Sequence, residues 1–220
     1  MKLYTADLSP FAGRCRMLIY FKGIEKDVAF AAPTAALGSA EWKKINPTGK
    51  LPALITNGRL LIESEVILEY LEDRFPDPPM RPENLEDRAL ARLLNRICDL
   101  YIFEPMFPLF GQMSPRQRDM AIVEPNLAKV MNGVGHLEAF WPEETGPFVF
   151  GPACSLADCG VVPTLFFVDR ILPAFGVEDP LARHPQVYSY WLAMNKDPLA
   201  SRVISELQRG LDERRAKAAG

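Results

Sequence analysis

The sequence contains few of the residues from which redox centres and metal sites are built. It has only two histidines in 220 residues, and its four cysteines never stand in the C-x2-C spacing of a metal site or a dithiol centre. We therefore expect no metal site and no dithiol chemistry. The cysteines are predicted to be free thiols of a protein in a reducing compartment: Cys15, Cys98, Cys154 and Cys159.

Basic clusters and long apolar runs are also missing. The net charge is -3, and no basic block occurs before the short tail from Arg214 to Lys217, so a nucleic-acid partner is not expected. No run approaches the ~18 apolar residues of a membrane-spanning helix. No signal-peptide pattern precedes the first predicted strand. These absences favour a cytoplasmic protein without a membrane partner.

A β-hairpin is the clearest local signal that is present. Two apolar runs, Leu51–Thr56 and Arg59–Ile62, flank Asn57-Gly58, and Asn-Gly is the strongest short signal for a two-residue hairpin turn. Pro52 stands at a strand start, where its missing N–H is tolerated. A cis bond before Pro52 would expose the backbone of Leu51, and such an edge can pair with a peptide.

Two predicted helix starts accompany the hairpin. Ser9-Pro10 combines an N-cap residue with a proline at the first helical position, which predicts a helix to about Lys22. A second helix is predicted from Ser64 to Phe75, after Glu63. Because a helix N-terminus can bind a carboxylate, the hairpin and this helix together predict a binding site for a small acidic peptide.

The remaining patterns divide the chain in two. Strands at Lys2–Thr5 and Val28–Ala31 and a short helix at Ser39–Ile45 complete a β-α-β-α-β-β-α order over residues 1–76. The proline-rich stretch within residues 77–84 is the predicted linker. Residues 85–220 are predicted to be all-α, with helices at Leu85–Phe103, Ser114–Phe140, Leu156–Leu172, Gln186–Lys196 and Pro198–Lys217.

Two features of the helical half stand out. Pro125 lies inside the Ser114–Phe140 pattern and is expected to kink or split that helix. Ser155 and Asp158 have the spacing of a capping box, in which the serine hydroxyl and the carboxylate satisfy two amides reciprocally. We expect Ser155 and Asp158 to act in folding and not in chemistry.

These motifs resemble those of the cytosolic glutathione S-transferase family. The resemblance rests on Asn46-Pro-x-Gly-Lys-Leu-Pro-Ala-Leu, on Asn57-Gly58 and on Glu63-Ser64, and it extends over the whole chain through Ser155-x-x-Asp158. It implies an N-terminal thioredoxin-like domain (βαβαββα) followed by the all-helical C-terminal domain of the family. Ser-Pro-Phe-x-x-Arg-x-Arg from Ser9 resembles the first-helix motif of the serine-type tau class, whereas the omega class has cysteine at this position.

The resemblance implies that Ser9 is the catalytic residue. Its hydroxyl would donate a hydrogen bond to the glutathione sulfur at the positive end of the first helix, and both effects favour the thiolate. The resemblance also assigns glutathione contacts. Lys50 would lie near the glutathione backbone or its glycyl carboxylate, and Lys43 would help to bind that carboxylate. Leu51 before cis-Pro52 would pair with the cysteinyl backbone, and Glu63 and Ser64 would hold the γ-glutamyl end.

An electrophile would occupy the second substrate site, between Phe11 and the helical domain. Acceptors of this chemistry are hydrophobic, so the candidate wall is aromatic and apolar: Phe11, Tyr101, Phe103, Met106, Phe107 and Phe110. The proline-punctuated Glu104–Pro108 stretch and Pro125 fit the family pattern less well.

The predicted function is conjugation of glutathione, the co-substrate, to hydrophobic electrophiles, with glutathione peroxidase activity as an additional reaction. One alternative is a glutathione-dependent isomerase, etherase or dehalogenase, although Pro10, Phe11 and Ala12 replace the serine and cysteine of the zeta-type run. Another is a non-catalytic protein that binds glutathione or hydrophobic ligands. The resemblance further implies a homodimer.

Overall fold

The computed structural model describes residues 1–143 and 146–219. Contacts divide the chain into two compact units, Met1–Met80 with Asp197–Gly220, and Arg81–Lys196. The sequence patterns place the last helix with the all-α half, whereas the structure groups it with the first unit because it packs on the first helix.

A four-stranded sheet forms the first unit. The strands are β1 (Lys2–Tyr4), β2 (Ala29–Ala31), β3 (Ala53–Thr56) and β4 (Arg59–Ile62), in the spatial order β2-β1-β3-β4. The helices of this half are α1 (Pro10–Lys22), α2 (Ala40–Lys43) and α3 (Ser64–Arg74). The predicted β-α-β-α-β-β-α order is confirmed.

The sheet register aligns three chain segments at one edge. Tyr4 at the end of β1 pairs with Ala53 at the start of β3, which in turn pairs with Ile62 at the end of β4. The predicted hairpin is confirmed, since Asn57 (φ 47°) and Gly58 (φ 74°) both adopt the left-handed conformation of a type I′ turn. The segments beyond Tyr4 and Ile62 and before Ala53 therefore leave the sheet at the same edge.

A buried ion pair fixes the chain after α3. Lys22, in the last turn of α1, pairs with Glu72 at 2.6 Å and donates to the carbonyls of Phe75 and Pro78 at 2.8 and 2.7 Å. Glu72 also accepts from the N–H of Met80. Because these groups saturate the lysine ammonium, the start of the predicted linker is anchored to the first unit.

The second unit is helical throughout its named elements, as predicted. Its helices are α4 (Leu85–Ile97), a π-helical segment (Cys98–Phe103), α5 (Glu104–Phe110), α6 (Met120–Ala139), α7 (Leu156–Ile171) and α8 (Pro185–Met194), with 3-10 turns at Pro115–Gln117 and Leu172–Phe175. The final helix, α9 (Pro198–Ala219), belongs to the first unit. No helix of residues 1–143 and 146–219 is long and apolar enough to cross a membrane.

Prolines interrupt the helices less than the sequence predicts. Of the kink or split predicted at Pro125, the split is wrong, because α6 runs continuously through this residue. Proline has no N–H, so the carbonyl of Ala121 lacks its helical hydrogen bond. The helix predicted to end at Phe103 continues into α5. There the N–H of Glu104 donates to the carbonyl of Asp99, five residues earlier, so π-type bonding carries the helix up to Pro105.

The start of α7 is organised around a buried carboxylate. Asp158 accepts from the N–H and the hydroxyl of Ser155 at 2.7 and 2.6 Å, from the N–H of Val149 at 3.0 Å and from the hydroxyl of Tyr190 at 2.9 Å. The capping box is therefore formed, and it extends to two further segments of the chain. Burial raises the pKa of Asp158, and these donors oppose the shift.

We predict that Asp158→Asn destabilises the protein by about 3 kcal/mol. The amide would turn its NH2 group towards two of the four donors and leave them unpaired. Asp119→Asn is the matched control, because Asp119 caps α6 at an exposed site and asparagine is an equally good cap, with an expected loss below about 0.5 kcal/mol. Urea unfolding measures both free energies, and equal losses would contradict the prediction.

Candidate active site

Ser9 caps α1 at the sheet edge described above. It is half-buried, and its Oγ accepts from the N–H of Ala12 at 3.2 Å while its own N–H donates to the carbonyl of Ala6 at 3.0 Å. Because the hydroxyl oxygen is the acceptor in this bond with Ala12, its hydrogen remains available for donation to another group. Ser9 therefore places a donor at the positive end of a 13-residue helix.

The bond between Leu51 and Pro52 is cis, as predicted. Leu51 is 8 % exposed, and the hydrogen bonds of the described part of the chain include none that uses its main-chain N–H or C=O. Ala53, two residues later, begins β3. The structure thus contains an unpaired donor and acceptor immediately before the sheet edge, which is the arrangement that binds an extended peptide.

A tight turn fixes the approach to Leu51. The buried Asn46 donates through Nδ2 to the carbonyl of Lys50 at 2.9 Å and accepts from the N–H and hydroxyl of Thr48. Trp42 donates to the same Lys50 carbonyl at 3.3 Å. Gly49 has φ +73°, and a Cβ there would lie 3.0 Å from the Cα of Gly38. From the sequence, Asn46 is only part of the family motif and no role is predicted for Trp42, whereas both side chains position the backbone of Lys50.

The two candidate lysines lie on either side of this turn. Both side chains are exposed. The stem of Lys43 passes Gly49, with its Cε 3.4 Å from the place of a Cβ at that glycine, and Lys50 follows the turn directly. Two cations next to free main-chain groups suit a ligand that carries a carboxylate.

The start of α3 has an unusual backbone. Glu63 has φ 66° and ψ 122°, and its exposed side chain does not cap the helix. Positive φ is uncommon outside glycine and concentrates at binding sites, where surrounding structure enforces it. Ser64, the first residue of α3, is buried, and no hydrogen bond of its hydroxyl occurs among the described residues. Glu63 and Ser64 therefore present charge and polar groups at a helix N-terminus.

A buried arginine joins the two helix starts. Arg14 of α1 is fully buried, and its Nη1 lies 3.3 Å from Oε1 of Glu65 in the first turn of α3. Its guanidinium also lies over the Phe11 ring at 4.9 Å. The sequence shows only that Arg14 belongs to the first-helix motif. The available signal is a charged residue inside a helix whose other positions, apart from Arg16 and Lys22, are apolar or small.

The register places these groups within reach of one small ligand. Neighbouring strands lie about 4.8 Å apart, so the ends of β1, β3 and β4 span about 10 Å. Ser9 follows β1, Leu51 precedes β3, and Ser64 follows β4. A short peptide with a charged group at each end fits this dimension.

The comparisons with known proteins identify the family. Residues 3–79 match the profile of the glutathione S-transferase N-terminal domain, and residues 120–190 match that of the C-terminal domain. Glutathione S-transferase 1 of Dianthus caryophyllus is 36% identical over 170 residues, which cover 75% of this chain and 76% of the relative. The chain belongs to the glutathione S-transferase family.

Other members of the glutathione S-transferase family support this assignment. Maleylpyruvate isomerase of a Ralstonia species is 30% identical over 179 residues, which cover 74% of this chain and 80% of the relative. A glutathione S-transferase structure from Methylobacillus flagellatus with glutathione bound has a TM-score of 0.75 at 25% identity and covers 92% and 98% of the two chains. The predicted thioredoxin-like domain followed by an all-helical transferase domain is thereby confirmed.

The candidate electrophile residues of this transferase differ in exposure. Tyr101 and Phe107 are half-exposed, at 50% and 51%, and Phe110 is partly exposed. Phe103 and Met106 are fully buried, with the Phe103 ring against Phe167 and Phe107. We therefore assign Phe103 and Met106 to the core of the second unit. Helical periodicity alone cannot separate the two groups, because the π-helical segment shifts the faces of the residues around it.

No group of three potential metal ligands occurs among the described residues. The four cysteines are buried thiols that form no disulfide among the described residues, in agreement with the sequence prediction. Buried structural thiols in apolar surroundings are inert.

Proposed function

We propose that this protein is a serine-type glutathione S-transferase that conjugates the glutathione thiolate to hydrophobic electrophiles. The observation that carries the proposal is the Ser9 hydroxyl at the start of α1, at the same sheet edge as the unpaired Leu51 main chain. A free thiol has a pKa near 8.5, and lowering it by two units requires about 2.7 kcal/mol. A helix terminus and one charge-assisted hydrogen bond together supply energies of this size.

Each end of glutathione has a complementary group. The γ-glutamyl ammonium would meet the carboxylate of Glu63, and its carboxylate would meet Ser64 at the α3 N-terminus. The cysteinyl N–H and C=O would pair with the main chain of Leu51, held by Pro52. The glycyl carboxylate would lie near Lys50 and Lys43, the two exposed cations beside the turn.

Deprotonation is the step that the protein assists. Ser9 would donate its hydrogen to the sulfur while the thiol proton passes to solvent, and the thiolate would then attack the electrophilic carbon. A carbon–sulfur bond forms, and either a leaving group departs with its electron pair or a double bond takes up a proton. A serine cannot form a mixed disulfide with glutathione, so residue 9 favours conjugation, as in a tau-like class, over thiol transfer. In the additional peroxidase reaction, the same thiolate would attack the outer oxygen of a hydroperoxide, break the O–O bond, and release the alcohol. The resulting glutathione sulfenic acid would react with a second glutathione to give glutathione disulfide and water.

Exposed aromatic surface supplies candidates for electrophile binding. Phe11 in the first unit is partly exposed beside the Ser9 cap, and Tyr101, Phe107 and Phe110 present apolar surface on the second unit. We propose that these four side chains contact hydrophobic acceptors, since sites for such ligands are lined mainly by aromatic and aliphatic groups.

We predict that Ser9→Ala reduces kcat about 30-fold, the equivalent of about 2 kcal/mol for a lost charge-assisted hydrogen bond. The glutathione Kd should stay within about threefold of the wild-type value, because Ser9 contacts only the sulfur. The pKa of the bound thiol, measured by thiolate absorbance, should rise. Ser39→Ala is the matched control, because Ser39 caps α2 through a bond to Trp42 of the same 3.2 Å length.

The Ser39→Ala variant should lose about 1 kcal/mol of stability and keep kcat and the thiol pKa at saturating glutathione. An unchanged rate in Ser9→Ala would remove Ser9 from the mechanism. Ser9→Cys adds an independent readout: its thiolate should attack oxidised glutathione, form a mixed disulfide that mass spectrometry detects, and release one reduced glutathione.

A glutathione-dependent isomerase is the second candidate. It is favoured by the 30% identity to a maleylpyruvate isomerase over 80% of that relative. Conjugation consumes one glutathione per product, whereas isomerisation returns glutathione unchanged. We expect chlorodinitrobenzene to be conjugated with loss of free thiol, and maleylpyruvate to be isomerised at a small fraction of that kcat/KM. Efficient isomerisation without conjugation would reverse the order of the two candidates.

We further propose a cytoplasmic homodimer, because the cytosolic members of this family that the sequence resembles have this organisation. Light scattering coupled to size exclusion should give twice the mass of the chain. A single-chain mass at micromolar concentration would contradict this proposal.

A further inference from the structure

One guanidinium binds the whole loop that leads to Ser9. Arg16 is 2% exposed, and its Nη1 donates to the Thr5 hydroxyl at 2.6 Å and to the Ala6 carbonyl at 2.9 Å. Its Nη2 donates to the Asp7 carbonyl at 3.1 Å. The Ala6 carbonyl also accepts from the N–H of Ser9 at 3.0 Å. Arg16 and Ser9 therefore share an acceptor, so a shift of the guanidinium is transmitted to Ser9 through one atom.

The orientation of Arg16 is set by α9. Glu206 accepts from Arg16 Nε at 2.7 Å through one oxygen and from the Tyr20 hydroxyl at 2.7 Å through the other. Arg202, one turn earlier, lies over the Tyr20 ring at 3.6 Å and pairs with Glu25 at 2.7 Å. These contacts hold the Glu206 carboxylate in one position, and the carboxylate in turn fixes the plane of the guanidinium.

The same helix also contacts the loop directly. Arg209 pairs with the Asp7 carboxylate at 2.6 Å. Gly210 lies against Leu8, the residue before Ser9, so that a Cβ at position 210 would stand 2.5 Å from the Leu8 nitrogen and 2.9 Å from its Cβ. Contacts under 3.0 Å force a shift, and here the nearest atom belongs to the backbone of the loop. The loop is therefore held by Arg16 through hydrogen bonds and by α9 through an ion pair and close packing.

We infer that α9 is a positioning element for the catalytic serine, with Arg16, Glu206, Arg209 and Gly210 as positioning residues. The inference rests on the proposed role of Ser9. A hydrogen bond to sulfur needs a defined donor position, and displacements of a few tenths of an ångström weaken it. Burying the Arg16 guanidinium beneath the Ser9 loop costs desolvation free energy unless its donors are paired. Glu206 of α9 provides the carboxylate that offsets this cost.

Gly210→Ala tests the inference, because the added methyl group must push the loop at Leu8. We expect the thiol pKa of enzyme-bound glutathione to rise by about one unit. At a pH below the wild-type value of this pKa, the thiolate fraction, and therefore kcat, should fall about tenfold. The glutathione Kd should stay within about twofold, since the Leu51 and Ser64 contacts lie on other segments. Gly135→Ala in α6 is the control, because its added methyl group would have His184 no nearer than 3.7 Å; its kcat and thiol pKa should be unchanged.

A second pair of variants keeps the test independent of packing. The Arg209 side chain is 58% exposed, so the Arg209→Glu variant should fold. Its new carboxylate would repel Asp7 and raise the thiol pKa, as expected for Gly210→Ala. The double variant Asp7→Lys with Arg209→Glu restores an ion pair of opposite polarity and should recover at least half of the lost kcat. A thiol pKa that is unchanged in Gly210→Ala and in Arg209→Glu would overturn the inference.

Ser9→Ala separates failure of this inference from failure of the proposed function. If Ser9→Ala lowers kcat while the α9 variants leave the thiol pKa at its wild-type value, the catalytic role of Ser9 stands and the positioning role of α9 is wrong. If Ser9→Ala leaves kcat unchanged, both proposals are wrong. If both α9 variants lower the stability and leave the thiol pKa unchanged, α9 has a structural role only and the inference is likewise overturned.

Discussion

The pairing of Tyr4 with Ala53 and of Ala53 with Ile62 is the constraint on which the candidate site depends. It gathers residues 5–9 with residues 50–52 and 63–64, which lie more than forty residues later in the sequence, at one sheet edge. Since side chains alternate along a strand, a slip of one residue would reverse the faces and displace the cis-Pro52 segment from the Ser9 loop. The Asn57-Gly58 turn fixes the register of β3 and β4, and the core packing of Leu3 and Leu54 fixes that of β1.

Buried cations hold the helices of the first unit in place around this edge. Arg14 reaches the start of α3, Arg16 reaches the Ser9 loop and α9, and Lys22 reaches the chain after α3. All three belong to α1, so one helix carries the contacts that position both helix N-termini of the candidate site. Each cation has a carboxylate partner, which limits the desolvation penalty that an unpaired buried charge would impose. The arrangement explains why a helix buried on nearly every side retains three charged residues.

Local chemistry made much of this structure predictable, and non-local contacts account for most of the rest. Ser9-Pro10, Asn57-Gly58 and Ser155-x-x-Asp158 act within a few residues, so their patterns predict a cap, a turn and a capping box that the structure contains. The partners of Arg16 cannot be predicted in this way, because Glu206 lies 190 residues away. The helix is not split at Pro125 for a related reason. Proline propensity disfavours a helix interior, yet the packing of α6 on neighbouring segments outweighs one lost hydrogen bond. Gly133 of α6, for example, lies against the Tyr101 carbonyl.

The grouping of α9 with the sheet, and not with the other helices, has a functional consequence. A helix at the far end of the chain completes the environment of a residue at its beginning, through Glu206 behind Arg16 and Gly210 against Leu8. The hydroxyl at Ser9 is thus held by contacts that its own segment does not contain. Pro10 and the Ala12 amide define the cap locally, but a cap fixes the serine only relative to α1. Its position relative to the rest of the sheet edge depends on Ala6, whose carbonyl joins Ser9 to Arg16 and hence to α9.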